Sequence, residues 1–141
     1  MSFLHSPQRI LLDLLVGISL LSMLGIGSVY IYHLNNDARE LDLSTELAME
    51  GQRISSQHGC IACHTLDGSL GVGPSWLGMW GSTRRLQNGE SVVVDEAYFR
   101  RSVRSPESQI VAGYPNVMAR SFLDDEQIDA LMAFARSLST D

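Results

Sequence analysis

The chain contains no lysine. All ten of its basic residues are arginine, and with sixteen acids the 141 residues carry a net charge of −6. Nucleic acid is disfavoured as a partner, because a phosphate backbone is held by a basic stripe. A lysine ring for docking is also absent, so electrostatic steering would favour a partner with a basic patch, or give way to tethering. Cysteine is nearly as scarce. With only two in the chain, a four-ligand zinc site would need His58 and His64 to complete it, from positions bunched too tightly for a tetrahedron. Setting aside an apolar leader leaves about 100 residues, enough for one modest core.

Both cysteines lie in Cys60-Ile61-Ala62-Cys63-His64. Two thiols at this spacing can add across the vinyl groups of a porphyrin as thioethers, and the adjacent histidine is then held beneath the iron. The motif reads as a c-type haem attachment site with His64 as proximal ligand. A redox dithiol or a structural disulfide would account for the pair but has no use for the histidine that follows.

The leader determines where such a domain works. From Ile10 to Tyr32 only Asp13 is charged, and residues 10–33 are long enough to cross a bilayer as a helix. A cleaved signal peptide competes, with Gly25-Ile26-Gly27 as a tolerable small-x-small site, but the run exceeds the usual signal core. Arg9 precedes the run while Asp37, Glu40 and Asp42 follow it. The charge bias therefore puts residues 1–9 in the cytoplasm and the haem domain on the periplasmic side of a bacterial inner membrane. Asp13, near one end of the span, reads as a group that snorkels or pairs with a neighbour. Gly17, Gly25 and Gly27 with Ser19, Ser22 and Ser28 would allow close packing on a membrane-embedded partner helix. His5 and His33 receive no role. Residues 34–43 read as a short acidic linker reaching at most about 35 Å when extended, which favours electron exchange with something beside the membrane.

Residues 44–141 read as one haem domain. Ser44 is expected to cap a helix to about Gln57, with Leu47, Ala48, Gly51 and Ile54 on one face. Asp124 and Gln127 form an acidic capping box before Ile128, Leu131, Met132, Ala135 and Leu138. These two helices are expected to cross at Gly51, where Phe134 or Leu131 could approach closely. Between them, Gly68, Gly71, Gly73 and Pro74 make a loop against the porphyrin. Trp76 and Trp80 are expected at the haem edge, with core packing an equal alternative, and Met79 between them as filler. Asn88-Gly89 predicts a two-residue hairpin turn between strands 83–87 and 90–94. Residues 95–104 predict a helix whose Arg100, Arg101 and Arg104 form a solvated face or meet propionates or a partner.

A sixth iron ligand must come from beyond the loop. Thioethers are suitable soft ligands. Met1 and Met23 belong to the leader, and Met49 and Met132 fall on helices where core packing explains them. Met118 lies in the irregular stretch Gly113-Tyr114-Pro115-Asn116-Val117-Met118, which could drape over the open haem face, and it is assigned the distal position.

Residues 48–138 resemble a class I monohaem cytochrome c domain, above all the one fused to subunit II of bacterial haem-copper oxidases. The resemblance rests on Gly59 to His64, Gly71 to Trp76, Gly81-Ser82-Thr83, Asp95 to Tyr98 and Ile110 to Met118. It implies a mainly α fold, three to five helices around one covalent haem c with a small β-hairpin insert, added here to an N-terminal transmembrane helix. It also implies Met118 as distal ligand, Tyr114 in the same haem-covering segment, and a Pro74 segment supporting His64. The fused subunit carries a two-copper centre that needs two further cysteines, and this chain has none to spare. The expectation is therefore not an enzyme but a membrane-anchored single-electron carrier, working between a quinol-oxidising complex and a terminal haem-copper oxidase. A haem c subunit of another dehydrogenase, quinol-oxidising or denitrifying complex is the alternative. Were Met118 unbound, a five-coordinate peroxidase or gas sensor would follow.

Overall fold

The computed structural model describes residues 7–139; Met1 and His5 lie outside them, as does most of the expected cytoplasmic segment 1–9. Helix α1 runs Pro7–Gln57, unbroken over 51 residues. Proline in the first turn suits a helix start, and no other proline occurs before Pro74. The expected linker 34–43 is thus helical, and Ser44 is an interior position and not an N-cap. The physical reason is local: Leu34-Asn-Asn-Asp-Ala-Arg-Glu-Leu-Asp-Leu43 holds no glycine or proline, so nothing obliges the helix to stop.

The chain divides into two compact units, one up to Asp42 and one from Leu43 onward. In the first, every leucine from Leu11 to Leu24 and both Tyr30 and Tyr32 are more than half exposed. Its helix contains a stretch of mean hydropathy 2.1, long and apolar enough to cross a membrane.

The second unit builds its core from the end of α1, a single turn α2 (Cys60–Cys63), a two-stranded antiparallel sheet of β1 (Thr83–Arg85) and β2 (Ser91–Val93), α3 (Glu96–Arg104), a 3-10 turn (Pro106–Ser108) and α4 (Asp125–Ser137). Helix α4 begins as its sequence predicts. Asp124 accepts from the Gln127 backbone N–H at 2.8 Å and the Gln127 side chain accepts from the Asp124 N–H at 3.1 Å, closing a capping box. Its apolar face buries Ile128, Leu131, Met132, Phe134 and Ala135. The crossing with α1 falls at Gly51, where an added Cβ would lie 1.9 Å from the carbonyl oxygen of Ala130 and 2.9 Å from Cβ of Phe134. Met49, one side of that face, is 60% exposed and takes no part in the core, contrary to expectation.

The hairpin differs in its turn. Leu86 donates to Glu90 and Gly89 donates to Leu86, leaving the three residues Gln87, Asn88 and Gly89 in the loop, with Gly89 at φ +90°. This is a three-residue loop closed by a left-handed glycine. The hairpin is then fastened to the stretch before Met118, through Gln87 N–H to Ile110 O and Ala112 N–H to Arg85 O, each 2.8 Å.

Helix α3 is capped by Asp95, which accepts from the Tyr98 N–H at 2.8 Å, and buries Phe99 and Val103. Its arginines are not a free basic face. Arg100 meets Glu96 at 3.0 Å, Asp125 at 3.2 Å and Asp129, while Arg104 meets Asp125. Hydrogen bonding to Glu96 and the charge of Asp129 hold the Arg100 guanidinium above its ordinary pKa. The expected solvated or propionate-binding face serves mainly to clasp α3 to α4, leaving Arg101 alone of the three without a carboxylate partner among the described residues.

Candidate functional site

The motif is presented by a sharp change of direction. After α1 ends, Gly59 takes φ +71°, a conformation that favours glycine, and Cys60 to Cys63 then form one helical turn with His64 N–H donating to Cys60 O at 3.0 Å. A single turn places residues i and i+3 on one face, so both thiols point the same way. Neither cysteine is in a disulfide. Burial, opposed by a backbone hydrogen bond, pushes the Cys60 thiol above its ordinary pKa.

His64 is positioned by the glycine loop. Gly73 N–H donates to Cys63 O at 2.9 Å, and a Cβ on Gly73 would stand 2.5 Å from Cε1 of the His64 ring. Only glycine lets the loop lie this close. The next residue, Pro74, offers its carbonyl oxygen 2.7 Å from His64 Nδ1. A carbonyl only accepts, so Nδ1 carries the proton and Nε2 keeps its lone pair free. Burial lowers the His64 pKa and the hydrogen bond to Pro74 offsets this in part, which keeps the ring neutral and fit to ligate.

A cavity of about 620 Å³ opens beside this ring, within the range of cofactor sites, about 300–1,000 Å³. Cys60, Cys63, His64, Pro74 and Trp76 line one side of it, while Tyr114 and Met118 come to it from the chain that follows α3. Trp76 also stacks edge-on against Phe99 and Phe134, each 6.0 Å away, so it serves core and cavity together. Trp80, expected at the same edge, is not in the lining. It packs on Phe99 at 6.1 Å beneath the Arg136 guanidinium, 4.3 Å from its ring. Met79 is buried in the core and reaches the cavity wall.

Met118 is 41% exposed and belongs to an irregular segment held at several points. The Gln87 side chain donates to Tyr114 O at 2.7 Å, Ser121 N–H donates to Val103 O at 3.0 Å, and Arg120 pairs with Glu107. That hydrogen bond draws the Glu107 carboxyl below its ordinary pKa.

Three lining residues escaped sequence reasoning. Arg84, half-buried on β1, has no carboxylate partner among the described residues, and the buried Ser102 Oγ and Gln109 Oε1 have no hydrogen-bond partner. Buried polar atoms without partners are uncommon and call for a group that completes them. A porphyrin carboxylate can accept from the Arg84 guanidinium and the Ser102 hydroxyl, whereas Gln109 Oε1, itself an acceptor, needs a donor that a carboxylate does not supply. Nothing in the sequence distinguishes Arg84 from Arg85; only the alternation of a strand that places one toward the cavity does so.

Paired thiols, an oriented imidazole, a thioether and an apolar cavity define a protein that carries one covalent haem c. The chain belongs to the cytochrome c family: the family model for cytochrome c matches residues 48–139. Covalent haem c is accordingly its cofactor, with Cys60, Cys63, His64 and Met118 the residues that fit it, and its role is electron transfer and not catalysis. Among solved structures the chain is similar to cytochrome cH from Methylobacterium extorquens, at 21% identity and a TM-score of 0.50, covering 64% of this chain and 97% of that one. That likeness supports the mainly helical fold. No curated protein matches the chain.

Proposed function

We propose that this protein is a membrane-anchored one-electron carrier that passes electrons to, or within, a terminal haem-copper oxidase on the periplasmic face of a bacterial inner membrane. The observation that carries the reading is the cavity itself, with a proton-fixed imidazole on one wall and, among the described residues, the Met118 thioether on the segment that follows α3, the other lining methionine, Met79, being buried in the core. When bound, haem c supplies an iron couple that takes up and releases one electron. The chain contributes the rest. Pro74 holds the imidazole proton on Nδ1, Met118 is offered for the sixth position, the apolar lining excludes water, and Arg84 provides a positive charge beside the group. With His64 and Met118 both engaged, no position is left for oxygen or peroxide.

The apolar run of α1 supports an anchor, since its large apolar side chains from Leu11 to Tyr32 are more than half exposed, which suits lipid as solvent. The match of Gly59 to His64 and Ile110 to Met118 to the oxidase-fused domain supports the oxidase as acceptor, and a quinol-oxidising complex as donor. The glycine-lined span, which would allow close packing on a partner helix, favours a fixed subunit, of the oxidase or of another membrane oxidoreductase.

Purification from membranes, with visible spectra of every co-purifying component in the ferric and dithionite-reduced states, tests the reading. Haem c together with a stoichiometric haem-copper oxidase supports it. Haem c with a different complex removes the oxidase, and the absence of covalent haem removes the whole reading.

A further inference from the structure

The helical continuation of α1 beyond its apolar run presents a second feature that electron transfer does not use. Leu34, Ala38 and Leu41 recur at steps of four and three, and Ile31 at the end of the apolar run precedes them by three, so the four fall on one face of the helix. Ile31, Leu34 and Leu41 are 56%, 45% and 69% exposed. Exposed apolar side chains aligned on one stripe favour an interaction surface. A lone helix in water is marginal without such packing.

The flanks determine what covers it. Asp37 and Asp42 lie to either side of the stripe, about 60–80° around the axis from its centre at 3.6 residues per turn. In a parallel pair of copies, the orientation that a shared membrane topology imposes, Asp37 of one helix would face Asp42 of the other, the arrangement that sets partner choice in coiled coils. Like charges there oppose self-association. Anionic lipid headgroups are repelled by the same pair. What complements the face is an apolar helix with basic residues beside its stripe.

We propose that residues 31–42 form a docking face for a helix of another membrane protein that carries Lys or Arg at the positions flanking its apolar seam. The proposal rests on the anchored reading above and adds the chemistry of the partner. It asks nothing of that partner's redox centre.

The full-length protein in its native membranes supplies the test. A photo-reactive p-benzoylphenylalanine replaces Leu41, and in a separate variant Asn36, on the opposite side of the helix; haem c content confirms that both fold. The expected result is a crosslink from position 41 and none from 36, to a peptide identified by mass spectrometry as an apolar helical segment bearing Lys or Arg. Adding Asp37→Arg and Asp42→Arg should lower the yield severalfold. A crosslink to a second copy, to this chain's own haem domain or only to lipid, a yield indifferent to the charge reversal, or no crosslink overturns the proposal. Carbonate extraction separates the two readings. Release from the membrane removes the anchor, whereas retention with a silent position 41 removes the docking face alone. Retention with a crosslinked partner that is not an oxidase leaves the docking face and removes the acceptor.

Discussion

His64 Nδ1 and the carbonyl oxygen of Pro74 stand 2.7 Å apart, and this contact decides which ring nitrogen can ligate. It also explains the glycine before the proline. For the carbonyl to face the ring, the backbone at Gly73 must lie within contact of the imidazole, and a Cβ there would be 2.5 Å from Cε1 and 2.8 Å from Nδ1. Gly73→Ala should therefore displace the ring or the loop, at about 1–3 kcal/mol as overpacking. The expected outcome is a lower yield of covalent haem and an earlier denaturant midpoint. A variant with unchanged haem content and midpoint would show that the loop relaxes freely.

Met118→Ala should lower the reduction potential, because a thioether favours ferrous iron more than the water that would replace it. Carbon monoxide should then bind the reduced protein, and the weak far-red band of thioether-ligated ferric iron should vanish. An unchanged potential and spectrum would assign the sixth position elsewhere.

The Met118 segment should respond to acid through Glu107. Its pKa is lowered from 4.5 by the hydrogen bond from Arg120. A depressed carboxyl pKa means the unfolded chain binds the proton first, so the contribution is present above the unfolded value and is lost as pH falls. Glu107→Gln should weaken thioether ligation at neutral pH, with wild type and variant converging below the ordinary carboxyl range. The far-red band followed against pH checks this.

Gly51→Ala sets two effects against each other. Alanine gains about 1 kcal/mol of helix propensity, but its Cβ would stand 1.9 Å from the Ala130 backbone oxygen, which no side-chain rotation relieves. Overpacking wins, and a net loss of about 1–3 kcal/mol is expected, measured by denaturant unfolding of the haem-loaded protein.

Arg84→Gln removes a half-buried positive charge from the cavity wall. Ferric iron gains relative to ferrous, so the potential should fall. The haem carboxylates should also hold their protons to higher pH, moving the pH dependence of the potential upward. A potential that does not move would place Arg84 outside the reach of the group.

Some of this was legible from the chain alone, wherever a short local pattern has one physical reading. Cys60 to His64 is such a pattern, as are the Asp124–Gln127 capping box and the glycine at position 51 on an otherwise apolar face. Other features depended on what a segment packs against. Trp76 and Trp80 share spacing and chemistry, yet one lines the cavity and the other lies under Arg136. Arg100 and Arg104 looked like a basic face because their partners, Asp125 and Asp129, are more than twenty residues away.

The sequence by itself determined the cofactor chemistry and the two helices that cross beside it, since covalent attachment, capping and close approach are each dictated by residues adjacent in the chain. The tertiary structure decided the proton position on His64, the pairing of the arginines on α3 and, among the described residues, the lack of partners for Ser102 Oγ, Gln109 Oε1 and the Arg84 guanidinium. It also showed α1 continuing where a linker was expected, because helix start signals matter only where the preceding chain is not already helical. Apart from the continuation of α1, which follows from the lack of a breaker in residues 34–43, each of these depends on distances between residues far apart in sequence, which local pattern does not carry.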